Sequence, residues 1–212
     1  MSSDVETVRG QNLTLHFEGR RCVHARQCVV GRPDVFVANT PGEWIHPDAA
    51  HPELVASIAR ACPSGAIRYE RHDGGPDETA PPVNVVRVRE NGPLAFHAAL
   101  SIAGKEELRA TLCRCGHSKN KPYCDGSHTA AGFQATGELP NTSTEPLADR
   151  AGPLTVTPAP AGPLLVNGNL EICTGNGALI TRTTKAAFCR CGASANKPFC
   201  DGSHRRIGFT GE

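Results

Sequence analysis

The sequence predicts an α+β protein in three parts: a small domain of mixed helix and strand, then two small β-rich modules. Three observations predict it. The segment LCRCGHSKNKPYCDGSH at 112–128 recurs as FCRCGASANKPFCDGSH at 188–204, and each copy continues to a Gly-Phe pair, Gly132-Phe133 and Gly208-Phe209. Two related modules are therefore present. Aromatic residues make up 5 % of the chain, beside 22 Gly and 17 Pro, a poor inventory for one large core. Modules below roughly 70–80 residues seldom draw more than about 3–5 kcal/mol from packing alone, and the 10 cysteines offer another staple. Finally, the residues ahead of the repeats carry helix and strand signals of their own.

The first domain, 1–75, opens with a strand at 13–17, followed by Cys22 and Cys28. A helix is expected at 52–61: Pro52 suits a first helical position, and Leu54, Val55, Ile58 and Ala59 share one apolar face. Pro63 stops it just after Cys62, and 66–70 reads as a strand. The stretch 71–82 (RHDGGPDETAPP) is a linker by composition. The first repeat module, 83–139, has strand-like runs at 83–88 and 94–100; the second, 152–212, has them at 154–157, 164–166 and 185–188. A Gly-Pro-Leu precedes each motif, at Gly92 and Gly162, and Gly and Pro punctuate the runs. The polar stretch 140–152 (PNTSTEPLADRAG) connects the modules.

Cysteine usage bounds the compartment. A disulfide framework needs an oxidising environment, yet the N-terminus has no apolar signal region, and Asp4 and Glu6 argue against a mitochondrial leader. No stretch approaches the roughly 18 apolar residues of a membrane-spanning helix. A soluble cytoplasmic protein is expected, where clustered cysteine means metal. The net charge of +1 implies no nucleic-acid partner.

The repeated donors are Cys113, Cys115, Cys124 and His128, and again Cys189, Cys191, Cys200 and His204. Cys-x-Cys puts two thiols on one short segment. Cys124 and His128 stand at i and i+4, so one helical turn aims both side chains the same way. Asp125 suits the positive end of that turn. Gly116, Ser118, Asn120 and Pro122 between the two corners are loop formers. A tetrahedral Cys3His zinc site satisfies this donor count, although zinc sites usually space the close pair as Cys-x2–4-Cys. A [2Fe–2S] cluster also takes four donors, two per iron. Spacing alone leaves both readings open.

Both segments resemble the CDGSH (NEET-type) iron–sulfur domain, with pattern Cys-x-Cys-x2-Ser/Thr-x3-Pro-x-Cys-Asp-Gly-Ser/Ala/Thr-His. Ser118, Pro122 and the run 124–128 match in one copy; Ser194, Pro198 and the run 200–204 match in the other. The resemblance implies a [2Fe–2S] cluster per motif. Two cysteines would hold the inner iron, and Cys124 with His128, or Cys200 with His204, the outer one. It also implies a pseudo-dimer within one chain, hence a monomer with internal pseudo-symmetry. A neutral imidazole ligand makes reduction easier than in an all-cysteine cluster, and its protonation would couple reduction, and cluster release in acid, to pH.

Cys22-x5-Cys28 followed by Cys62-Pro63 resembles the bacterial ferredoxin run Cys-x2-Cys-x2-Cys…Cys-Pro, with Ala25 at the middle cysteine position. The segment 22–70 as a whole resembles a divergent mono-cluster ferredoxin domain. That implies a ferredoxin-like fold and a [3Fe–4S] cluster, or a [4Fe–4S] cluster whose last iron takes another ligand. The alternative is three unligated cysteines. His24, one residue from the vacant position, reads as a surface histidine, with a fourth ligand as its alternative.

Other residues are given plainer roles. Cys173 reads as a partly buried thiol, Trp44 as core, and His46, His51, His72 and His97 as solvated or locally bonded. Lys119, Lys121, Lys197, Arg114 and Arg190 read as charge that offsets the clusters, and Tyr123 and Phe199 as shields against water. No nucleophile triad, phosphate loop or carboxylate pair stands out, so no enzyme activity is expected. The sequence predicts electron transfer, cluster transfer or redox sensing, with a redox protein or an apo iron–sulfur acceptor as partner and no membrane. The alternatives are a zinc scaffold and an accessory electron-carrier subunit of an oxygenase or reductase.

Overall fold

Alternating side chains make Leu13 and Leu15 the buried face of β2 (Leu13–Glu18). In the computed structural model, which describes residues 5–142 and 144–211, β2 is the centre of a three-stranded antiparallel sheet. Its neighbours are β1 (Val5–Arg9) and β3 (Ile67–Arg71), so that Leu15 lies opposite both Val8 and Tyr69. A short helix, α1 (Gln27–Gly31), and a longer one, α2 (Pro52–Ala61), complete this unit. Pro52 occupies the first turn of α2, and the His51 side chain accepts from the Glu53 amide at 3.3 Å. The stripe that meets the core runs through Val55, Ala56 and Ala59. Leu54, expected on that face, is one position off the stripe and stays exposed. Asp4, residue 143 of the connector and Glu212 lie outside the described residues.

The chain divides between Thr79 and Ala80. The second unit contains β4 (Val85–Val88), β5 (Leu94–Ile102), β6 (Lys105–Leu112), the one-turn helix α3 (Ser127–Ala130), β7 (Pro153–Pro158), β8 (Leu164–Thr174), β9 (Leu179–Phe188) and α4 (Ser203–Arg206). Its six strands join one sheet, and the pairing is exchanged between repeats. β5 pairs antiparallel with β4 through 94–97 and parallel with β7 through 99–102. In the same way β8 pairs antiparallel with β7 through 164–167 and parallel with β4 through 171–174. β6 and β9 then flank β5 and β8.

One apolar core follows from this exchange. Val86, Phe96 and Leu100 from the first repeat pack with Leu154, Ile172 and Phe188 from the second, and Phe96 meets Phe188 edge-on at 6.1 Å. The two repeats thus share one core, each contributing apolar residues to it. Buried Asn84 ties them further, donating to the carbonyls of Gly152 (2.9 Å) and Asn169 (3.0 Å). Among the described residues no helix is long and apolar enough to cross a membrane.

Candidate metal centres

β6 delivers Cys113 and Cys115, and α3 delivers His128. The loop between them folds back as a hairpin: Cys113 N donates to Pro122 O (2.9 Å), Cys124 N to Thr111 O (2.8 Å), and Leu112 pairs with Tyr123. Ser118 Oγ holds the loop tip, donating to Tyr123 O at 2.6 Å and accepting from Asn120 N at 3.0 Å. The Asp125 carboxylate accepts from the amides of Lys119 (2.8 Å) and Ser127 (3.0 Å), which starts α3 beside Cys124. Burial works against that carboxylate, but these bonds outweigh it and hold its pKa at about 2. The second copy repeats the device: Ser194 donates to Phe199 O (2.6 Å), and Asp201 accepts from Ala195 N (2.8 Å) and Ser203 N (2.9 Å). Lys121–Pro122 and Lys197–Pro198 are cis at matching positions.

The donors meet as pairs. Cys113 and Cys115 sulfurs are 3.5 Å apart, and Cys124 Sγ lies 3.3 Å from His128 Nδ1. In the second copy the distances are 3.8 Å for Cys189 and Cys191 and 3.4 Å for Cys200 and His204. Among the described residues, no three of His, Cys, Asp or Glu gather as a single-ion site. The hydrogen bond shared with Cys115 lowers the Cys113 thiol to about 6, while the same contact and burial push Cys115 up. Burial pushes Cys124 up to about 12 and moves His128 below the ordinary histidine value. The two copies differ in access: Cys113, Cys115 and Cys124 are all buried, whereas Cys191 and Cys200 are half-buried.

The two sites touch. Cys115 and Cys191 pair through their backbones. A Cβ on Gly116 would stand 2.6 Å from Cys191 O, and one on Gly192 would stand 2.3 Å from Cys115 O. Burial pushes both motif arginines down, opposed at Arg114 by Glu90 and then Cys189, and at Arg190 by Cys113. Each thus senses a cysteine of the other motif.

Beyond the charge that the sequence assigns them, these arginines hold backbone in place. Arg114 is buried and donates to Gly92 O (2.6 Å), Ala135 O (3.0 Å), Thr136 O (3.3 Å) and Arg89 O. Arg190 donates to Gly162 O (2.9 Å) and Ala159 O (2.6 Å). Their guanidinium groups lie over Phe133 and Phe209, 5.4 and 5.3 Å from the ring centroids. Sequence reasoning missed this role, although the recurring Cys-Arg-Cys and Gly-Phe of both copies carried the signal. Tyr123 and Phe199 face the shared core: Tyr123 Oη donates to Glu107 Oε1 (2.6 Å), and Phe199 stacks on Phe188 at 5.7 Å.

In the first unit Cys22, Cys28 and Cys62 line one cavity of about 550 Å3, with Trp44 and Phe17 in its wall. Cys22 follows the turn closed by its amide on Gly19 O (3.0 Å), Cys28 lies in the first turn of α1, and Cys62 caps α2. Buried Arg21 donates to Ser64 O at 2.9 Å, fixing the turn that precedes Cys22 to the Cys62 loop. Burial raises both the Cys22 and Cys28 thiols, and the neighbouring cysteines raise them further. Cys173 is buried in β8, away from these sets; His72 Nε2 lies 2.7 Å from Thr14 Oγ1.

A family model described as "Iron-binding zinc finger CDGSH type" matches residues 82–129 and 161–205. One described as "Divergent 4Fe-4S mono-cluster" matches residues 8–72. Among curated proteins, the "Uncharacterized protein YjdI" of Escherichia coli (strain K12) is 34% identical over 64 residues, 30% of this chain and 80% of that protein. The protein of the same name from Escherichia coli O157:H7 matches to the same extent. No solved structure matches the chain.

Proposed function

Because the chain belongs to the CDGSH-type iron-binding family, with a divergent 4Fe-4S mono-cluster domain ahead of its two CDGSH regions, we propose that it is a one-electron carrier. In this reading it holds two [2Fe–2S] clusters and a third cluster, [3Fe–4S] or [4Fe–4S]. Cys113, Cys115, Cys124 and His128 would hold the first, Cys189, Cys191, Cys200 and His204 the second, and Cys22, Cys28 and Cys62 the third. The observation that carries it is the two-plus-two division of each donor set, at 3.3–3.8 Å within pairs. A two-iron cluster takes two protein donors per iron. A single tetrahedral zinc ion takes four around one point.

A bound [2Fe–2S] cluster supplies reversible one-electron storage; the rest is the work of the chain. Asp125 and Asp201 fix the turns that carry the histidines. Arg114 and Arg190 lock the Cys-x-Cys segments to the strand ends around them. The backbone contact of Cys115 with Cys191 brings the sites together, which supports electron exchange within a monomeric pseudo-dimer. A redox protein is the proposed partner, in the reducing cytoplasm where ligand thiols survive. Delivery of a cluster to an apo acceptor is a second reading, favoured at the second site by its half-buried Cys191 and Cys200.

A reductive titration of anaerobically purified protein followed by EPR tests the proposal. Expected is reversible uptake of one electron at each repeat, with signals appearing from the EPR-silent oxidised form. Zinc-loaded protein that takes up no electrons would refute it.

A further inference from the structure

The first-unit cavity presents three thiols, one fewer than the ligands a cubane cluster takes in its all-cysteine form. Ala25 occupies the position where a fourth cysteine would stand. Besides the cysteines, the lining contains one imidazole, that of His24, and no carboxylate. The hydroxyl and amide groups that remain are hard donors, poorer partners for iron in a sulfide cluster than thiolate or imidazole. His24 Nδ1 already lies 3.9 Å from Cys22 Sγ, close to the 3.3 and 3.4 Å of the cysteine–histidine pairs in the repeats. The backbone accommodates it at a cost: His24 and Arg26 adopt φ of 51° and 62°. Non-glycine residues hold such angles where surrounding structure or a ligand demands them.

We propose that His24 is the fourth ligand of a [4Fe–4S] cluster in this cavity, completing a Cys3His set with Cys22, Cys28 and Cys62. The proposal rests on the reading of the cavity as a cluster site. It gives the chain histidine ligation in all three centres. A neutral imidazole in place of thiolate raises the reduction potential above that of an all-cysteine cubane and keeps the last iron from water.

The test uses full-length protein purified anaerobically as wild type, His24→Ala and His24→Cys, read by iron content, Mössbauer spectroscopy, EPR and redox titration. Wild type is expected to hold [4Fe–4S]. Treated with a one-electron oxidant (ferricyanide), His24→Ala is expected to release one iron as Fe2+ and show the EPR signal of oxidised [3Fe–4S], whereas wild type keeps its four irons. His24→Cys is expected to keep all its iron at a lowered potential. A four-iron cluster of unchanged potential in both variants overturns the role of His24 while the cavity stands as a cluster site, as does [3Fe–4S] in the wild type. Iron confined to the two repeats in the wild type overturns both.

Discussion

His128 and His204 are the proposed nitrogen donors in sets otherwise made of sulfur, and each is placed by a single turn of helix behind an aspartate. Exchanging imidazole for thiolate adds a negative charge, so His128→Cys and His204→Cys are each expected to lower the reduction potential of that site. Protein-film voltammetry reads this directly, and unchanged potentials would contradict ligation by either residue. Among the described residues, Arg114 donates to four carbonyls and Arg190 to two, and Arg114 is the more deeply buried. Removing a charged donor leaves buried acceptors unpaired, at about 1–3 kcal/mol. Arg114→Ala is therefore expected to cost more unfolding free energy than Arg190→Ala in denaturant titrations; equal losses would contradict the assignment. The candidate donors were visible in the sequence as a repeated spacing of cysteine and histidine, and the structure brings each set together as two close pairs. The role of the arginines was not visible, because the acceptors of Arg114 at 89, 92, 135 and 136 and of Arg190 at 159 and 162 are backbone atoms, and the recurring Arg and Gly-Phe mark only that the position matters.

The elements around the sites were legible where one face is buried and the other wet. The helix at Pro52–Ala61 shows this pattern, and the strands at 13–18 and 94–102 were legible as apolar-rich runs with no exposed residue. β6 was missed because its first half, Lys105 to Glu107, is charged and only Ala110 to Leu112 enters the core. β8 was foreseen only at its start, since Asn167, Gly168 and Asn169 interrupt the apolar run where the register with β9 slips. Gly168 there has φ 122°, and a Cβ would stand 2.4 Å from Pro153 O, a glycine bulge rather than a strand end. The contact between motifs gives a sharper test. Gly116 has φ 86° and no room toward Cys191, so Gly116→Ala costs about 1–3 kcal/mol in backbone strain and is expected to reduce iron occupancy of both repeats. Gly132→Ala, also at positive φ but with nothing within 4 Å, is the control. Loss confined to the first repeat would contradict the coupling. In β8, Glu171 accepts from Arg150 and Arg182 at 3.0 and 3.1 Å, and the Arg150 bond above all holds its carboxylate below the usual range. A depressed carboxylate stabilises above its unfolded value and ceases to do so as pH falls through the folded one. Glu171→Gln is thus expected to destabilise the second unit at pH near 7, with the deficit shrinking as pH falls below the ordinary glutamate value of about 4.3 and lost only below the depressed folded value. A deficit that persists in acid would contradict the ion pair.

At the scale of the whole molecule, the repeats were legible as two copies, and the exchange of strands between them was not. Which half of β5 pairs with β4 and which with β7 depends on contacts between residues far apart in sequence, and the poor aromatic content pointed only to the need for help from elsewhere. The copies are nevertheless unequal in access. Three buried cysteines serve the first site, and one serves the second. The second repeat is expected to lose its metal first when a chelator is added to the oxidised protein, followed by absorbance and confirmed with the His204→Cys variant. Simultaneous loss would contradict that difference. The central claim is that each Cys3His set encloses two bridged irons. The direct measurement is iron, acid-labile sulfide and zinc content of protein purified without air. About four irons with equal sulfide from the repeats, or about seven or eight with the third site filled, is the expected result. Stoichiometric zinc without sulfide at the repeats would contradict it.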